Sequence, residues 1–213
     1  MNKLKYILIL FTLFNSIKTS NIQYISSRYL RKKILWQKST LTYSLIGDVS
    51  AYNQTSFDAV RQVLNDAFNE WQSNSCFKFN DITPNHHTAD IKIIFTNDRL
   101  SMKNNNNILY NHEKCDRKFR GSAAHAYFRY HKKYPANIHV NNEFFWLESK
   151  PLSGTVSLRT VLLHEIGHVL GLFHSDHLDS VMYEYIFTNQ IKSITSNDKN
   201  DLYNIYSSTS LCK

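Results

Sequence analysis

Cysteine is scarce in this chain, three residues in 213. The three thiols, Cys76, Cys115 and Cys212, cannot build the disulfide framework of a small secreted scaffold. They allow one bridge at most with one thiol left over, and the sequence does not choose the pair. Apolar runs long enough to span a bilayer are also missing. The run Tyr6 to Phe14 is too short for that. It follows Lys3 and Lys5 and precedes short polar residues, so Met1–Ser20 reads as a secretory signal, with Lys18 leaving the cleavage position open. There is no internal repeat, no long linker and nothing that resembles a nucleic-acid-binding module. The length suits one well-buried domain and is too small for two ordinary ones.

The net charge is +8, and three of the lysines belong to the signal. The remaining excess gathers at Arg28, Arg31, Lys32 and Lys33, then at Lys114 to Arg120 and Arg129 to Lys133. Such patches can hold a protein near sulfated glycans or anionic lipid. Solvated loops without a partner are the preferred reading. Asn53-Gln54-Thr55 is a glycosylation acceptor sequence, consistent with secretion.

Against this background residues 164–174 stand out: His-Glu-Ile-Gly-His-Val-Leu-Gly-Leu-Phe-His. His164 and His168, four residues apart, share one face of a helix and can reach one ion. Glu165 neighbours the first ligand and suits a general base better than a further ligand. His174 lies six residues past His168 and would point away if the helix continued. Gly171 is the residue that can end the helix with positive φ and return the chain. Three neutral imidazoles leave the fourth corner of a tetrahedral zinc open for water, which is the catalytic arrangement.

The rest of the chain supplies a frame. Leu41 to Ile46 alternates as a strand does, and Phe77–Phe79 and Asp90–Phe95 read as two more. Thr55 or Ser56 can cap a helix from Phe57 to Trp71 with Val60, Leu64, Ala67 and Trp71 as its stripe. Residues 101–121 form a long polar loop. Ala124–Phe128 and Asn137–Val140 are short strands, the zinc helix runs from Val156 to Leu170, and a last helix covers Asn197 to Tyr206. The expected class is α+β with a mixed sheet.

These residues together resemble the catalytic domain of a matrix metalloproteinase, a matrixin of the metzincin clan. Ser175 directly follows the third histidine, as in that family. Ser180-Val181-Met182-Tyr183 matches its Met-turn, with Met182 below the metal. Trp36 through Tyr43, Ala67-Phe68 with Trp71, Ala89-Asp90-Ile91, and Ser196 through Tyr206 match its flanking elements. The resemblance covers residues 34–207. It implies a five-stranded mixed sheet with three helices. The chain then divides into a signal at 1–20, a short basic segment at 21–33, the catalytic domain at 34–207 and a tail at 208–213.

The resemblance further implies a second, structural zinc, with His112, His125 and His139 as ligands and Cys115 or Asp116 as the fourth. It implies calcium nearby, but Asn141 stands where the family has aspartate and Glu143 is out of register. Lost anionic oxygens weaken such a hard-cation site. The implied activity is hydrolysis of internal peptide bonds, with Glu165 as base and the strand at Ala124 holding the substrate as an added strand. Thr160 helps set the depth of the specificity pocket beside His164, and Tyr183 also lines it. Glu184 and Ile186 replace the family's proline and tyrosine there.

Residues 21–33 hold no cysteine and leave no room for the family's inhibitory prosegment, and a hemopexin-like domain is not expected. The expectation is a minimal, secreted, monomeric, extracellular enzyme acting on matrix-type protein, without stable membrane insertion. Two alternatives stand beside it: a metzincin of another branch with a dedicated protein target, and a secreted zinc-binding protein that does not cleave.

Overall fold

A computed structural model describes residues 16–18, 35–46, 57–96, 122–127, 135–141, 146–147, 156–188 and 190–212. Its strands are β1 (Ser16–Lys18), β2 (Thr40–Ile46), β3 (Lys78–Asp81), β4 (Ile91–Thr96), β5 (Ala124–Tyr127), β6 (Ala136–Asn141), β7 (Trp146–Leu147), β8 (Val156–Ser157) and β9 (Tyr185–Phe187). Its α-helices are α1 (Phe57–Ser73), α2 (Leu158–Leu170) and α3 (Ser196–Tyr206). The polar loop at 101–121 lies outside the described residues.

Five strands form one mixed sheet in the order β3-β2-β4-β6-β5. The first four run parallel, and β5 is antiparallel to β6 at the edge. Strand β4 sits in the middle and is buried at every position from Ile91 to Phe95. A strand covered on both faces reads as a continuous apolar run, as this one does apart from Lys92. The expected architecture, a five-stranded mixed sheet with three α-helices, is what the described residues form.

Helix α1 buries Val60, Val63, Leu64, Ala67, Phe68 and Trp71, one stripe at helical spacing. Helix α2 is different: every residue except Arg159 is buried. A helix apolar on all sides belongs in the core, where the sheet and α1 cover it. It begins at Leu158, two residues later than the sequence suggested. Ser157 caps it by accepting from the Thr160 amide at 3.3 Å, and Val156–Ser157 pairs with β7 instead.

Three aromatic side chains brace α2 by donating to its carbonyls. Trp71 Nε1 reaches Leu163 O at 2.9 Å, Trp36 Nε1 reaches Val169 O at 3.0 Å, and Tyr206 Oη reaches Leu170 O at 2.9 Å. The last two serve carbonyls that a helix end leaves without partners of its own. Burial pushes the Tyr206 phenol up to about 12, so its proton stays on. A disulfide joins Cys76, just before β3, to Cys212, beyond α3. The structure thereby selects the pair, and Cys115 lies outside the described residues.

Strand β1 comes from the segment read as the end of the signal. It pairs antiparallel with β9, Ser16 opposite Phe187 and Lys18 opposite Tyr185.

Candidate metal centre and active site

The geometry of the histidines follows from how α2 ends. Gly171 takes φ 110°, in the left-handed region. Its amide donates to His168 O at 2.9 Å, and the Leu172 amide donates to Gly167 O at 2.9 Å. This is the Schellman pair of hydrogen bonds that closes a helix on a glycine. The chain turns back, and His174 comes to lie beside His168 and His164, ring centres 5.0 and 5.3 Å away. One ligating atom from each of the three lies within 4.8 Å of the others.

The protons on these rings are fixed by their backbone partners. His164 Nδ1 donates to Val181 O at 2.8 Å, and His168 Nδ1 donates to Leu172 O at 2.8 Å. A carbonyl can only accept, so each Nδ1 carries the hydrogen and each Nε2 presents a lone pair. The two Nε2 atoms nevertheless face each other at 2.9 Å. Burial, with His174 and Lys192 adding to it, pushes His164 down to about 3, so this ring is neutral at neutral pH. With Nε2 of both rings and one nitrogen of His174 gathered within 4.8 Å, the three side chains could hold one metal ion. Two nitrogens on tetrahedral zinc lie about 3.3 Å apart, a small relaxation away. The residues present fit zinc.

Glu165 is fully buried next to this cluster, and neither carboxylate oxygen closes a hydrogen bond of ordinary geometry among the described residues. Burial raises its pKa well above the ordinary 4.5, while the Ala126 amide on β5 pulls weakly the other way. A carboxyl group whose pKa burial raises holds a proton more firmly than an exposed one.

The turn after the site closes it from below. Met182 is 1% exposed and packs on Gly167 of α2. Its amide accepts support from Ser180 by donating to Ser180 Oγ at 2.9 Å, and Ser180 Oγ donates to Asp198 Oδ1. The other oxygen of Asp198 accepts from Val181 N at 3.2 Å and from Thr195 N at 2.8 Å. Asp198 is thus the anchor of the turn, a role the sequence reading did not assign. Thr195 and Asp198 form the capping box of α3, and that S/T-x-x-D spacing was the available signal.

The other expected residues are placed as follows. Ala124 is fully buried on edge strand β5. Thr160 is buried, with its hydroxyl accepting from the Lys192 amide at 3.1 Å. Tyr183 follows the turn, and Ser175 bridges to it. His125 and His139 are direct cross-strand partners on β5 and β6, buried, with ring centres 5.1 Å apart. His112, Cys115, Asp116 and Glu143 lie outside the described residues. The Asn141 side-chain amide donates to Ser122 O at 3.1 Å.

A helix presenting two histidines and a glutamate, a glycine-returned third histidine and a methionine turn beneath them define a zinc metalloendopeptidase domain. The model of the Matrixin family matches residues 35–207, so the chain belongs to the matrixin family. Matrix metalloproteinase-A of Caenorhabditis elegans is 29% identical over 188 residues, 84% of this chain and 31% of that protein. Metalloendoproteinase 1-MMP of Arabidopsis thaliana is 31% identical over 162 residues, 73% of this chain and 39% of its own length. Matrix metalloproteinase-25 of Mus musculus is 30% identical over 158 residues, 73% of this chain and 23% of its own. The chain therefore matches well under half the length of each of these relatives.

Proposed function

We propose that this domain is a zinc-dependent endopeptidase that hydrolyses internal peptide bonds of extracellular, matrix-type proteins, with Glu165 as general base. The observation that carries the reading is the meeting of three histidine nitrogens beside the fully buried carboxylate of Glu165. His164, His168 and His174 would hold the zinc, which supplies Lewis-acid polarisation of the scissile carbonyl and a more acidic water. The Val181 and Leu172 carbonyls keep the first two imidazoles aimed. Glu165 takes a proton from the attacking water on a carboxylate oxygen and delivers it to the leaving amine. Its burial matches that double duty, since a carboxylate of ordinary pKa would hold the proton too weakly.

Strand β5 ends the sheet among the described residues, and its outer edge would receive the substrate as an antiparallel strand beside Ala124. Thr160 on α2 and Tyr183 after the turn would help line the pocket for the residue after the cut, a reading that rests on the family resemblance. A second, structural zinc on His125 and His139 is supported by their facing positions, with His112 and Cys115 or Asp116 completing it. Calcium has weaker support, since Asn141 brings an amide rather than a carboxylate. The Cys76–Cys212 bridge and the apolar leader support secretion. No helix among the described residues is long and apolar enough to cross a membrane.

The test is to incubate purified protein with a peptide library, with and without a zinc chelator, and to map the cuts. A Glu165→Ala variant run on casein or gelatin should lose at least about a hundredfold in rate. Equal cleavage by that variant would sink the proposed chemistry.

A further inference from the structure

The network that holds the turn under the histidines ends on a lysine that the hydrolytic scheme leaves unused. Lys192 is 5% exposed. Its Nζ donates to Leu178 O and to Ser180 O, both at 2.8 Å, and lies 4.9 Å from the centre of the Tyr183 ring. Its main chain is fixed as firmly. The amide donates to Thr160 Oγ1, and the carbonyl accepts from Arg159 Nη1 at 3.2 Å. Arg159 pairs with Glu70 of α1, and the other oxygen of Glu70 accepts from Ile194 N at 2.7 Å.

An ammonium is strongly hydrated, and burying one is unfavourable unless its protons are used. Here two carbonyls and a ring face receive it, which is directed coordination of the charge rather than packing of its stem. Its target is informative. Ser180 O and Val181 N belong to the same peptide unit. Lys192 holds the oxygen end of that unit and Asp198 holds the amide end. A peptide plane gripped at both poles by opposite charges cannot rotate, and its orientation sets where the next carbonyl points. That next carbonyl is Val181 O, the acceptor for His164 Nδ1.

We propose that Lys192 is a positioning residue for His164: together with Asp198 it fixes the Ser180–Val181 peptide plane, and through it the carbonyl that aims the imidazole at the metal. The inference rests on the zinc-peptidase reading of the site. Two variants of the full chain separate the possibilities. Lys192→Met keeps the stem and removes the charge, while Lys192→Arg keeps the charge. Zinc affinity is read by chelator competition, stability of the metal-free protein by thermal unfolding, and kcat and KM on a peptide that the wild type cuts.

Lys192→Met should bind zinc about tenfold more weakly, the lower end for partners that orient metal ligands. Its kcat should fall with KM nearly unchanged, the pattern of an interaction made in the transition state. The metal-free midpoint should hold within a few degrees (roughly the effect of 1 kcal/mol), and Lys192→Arg should regain most of the affinity. Unchanged zinc affinity in Lys192→Met overturns the proposal. So does a loss that tracks collapse of the metal-free midpoint and that arginine does not rescue. Wild-type protein that neither binds zinc nor cuts peptides sinks the peptidase reading and this inference with it. A competent wild type beside an unaffected Lys192→Met sinks this inference alone.

Discussion

Met182 sits so close to Gly167 that a Cβ at position 167 would overlap its sulfur, with Trp71 Cζ2 only 3.1 Å from the same point. The missing side chain in the middle of the motif is therefore a contact surface. It lets the turn press against the helix that carries His164 and His168. Alanine in a helix interior ordinarily gains about 1 kcal/mol over glycine. Here the Met182 side chain and Trp71 both crowd the space a Cβ would need, so overpacking should outweigh that gain. Gly167→Ala is expected to lose about 1–3 kcal/mol in urea unfolding and to bind zinc more weakly. A variant more stable than wild type would mean that Met182 has room to move aside.

How much of this was written in the sequence depends on the range of the interaction. The grouping of the three histidines beside Glu165 was legible because His164, Glu165, His168, Gly171 and His174 lie within one helix and one turn, where spacing translates directly into geometry. The central strand was legible because burial on both faces leaves a run at Ile91–Phe95 that is apolar apart from Lys92. The start of α2 was misplaced by two residues because Val156 continues the apolar pattern while serving a different element. Lys192 was invisible for another reason. A lone lysine reads as solvated, and only the fold reveals the two carbonyls waiting for it. The bridge between Cys76 and Cys212, 136 residues apart, likewise has no local signature.

Removing that bridge should show how far the closing helix depends on it. The link ties the approach to β3 to the tail beyond α3, and Tyr206 of α3 in turn donates to the end of the zinc helix. Closing so long a loop stabilises the folded chain by about 3–5 kcal/mol in the loop-entropy picture. Reduction, or a Cys212→Ser variant, should lower the midpoint by about 10 °C for a domain of this size. Thermal scans with and without reductant make the comparison, and a shift of under about 2 °C would show that packing alone holds the tail.

Glu165 should make the metal-free protein less stable as pH rises. Burial raises its pKa well above 4.5 in the folded chain, so above pH 4.5 the folded state retains a proton that the unfolded state releases. The stability linked to it is full below 4.5 and is lost as pH climbs through the raised value. His164 works in the opposite sense. Its pKa is pushed down to about 3, so its contribution is full above 6.5 and falls away as pH drops toward 3. Comparing Glu165→Gln with wild type isolates the first effect. The metal-free variant should gain on wild type as pH rises above about 4.5 and lose that advantage below it. Parallel curves across the range would mean that Glu165 is not buried as an unpaired acid.

Zinc should stabilise the fold as well as serve the chemistry, because three histidine nitrogens already converge in the folded chain. His164 and His168 are each held in place by a backbone carbonyl behind the ring. The unfolded chain offers no comparable site, so metal binding adds to the folding free energy. Free zinc at a hundred times its dissociation constant should therefore add about 2.7 kcal/mol to the unfolding free energy. His174→Ala should shrink the gain by removing the ligand that the Gly171 bend returns, without disturbing α2 itself. Thermal unfolding across a zinc titration gives the answer. If wild type and His174→Ala respond equally, the third histidine is not a ligand and the bend serves packing alone.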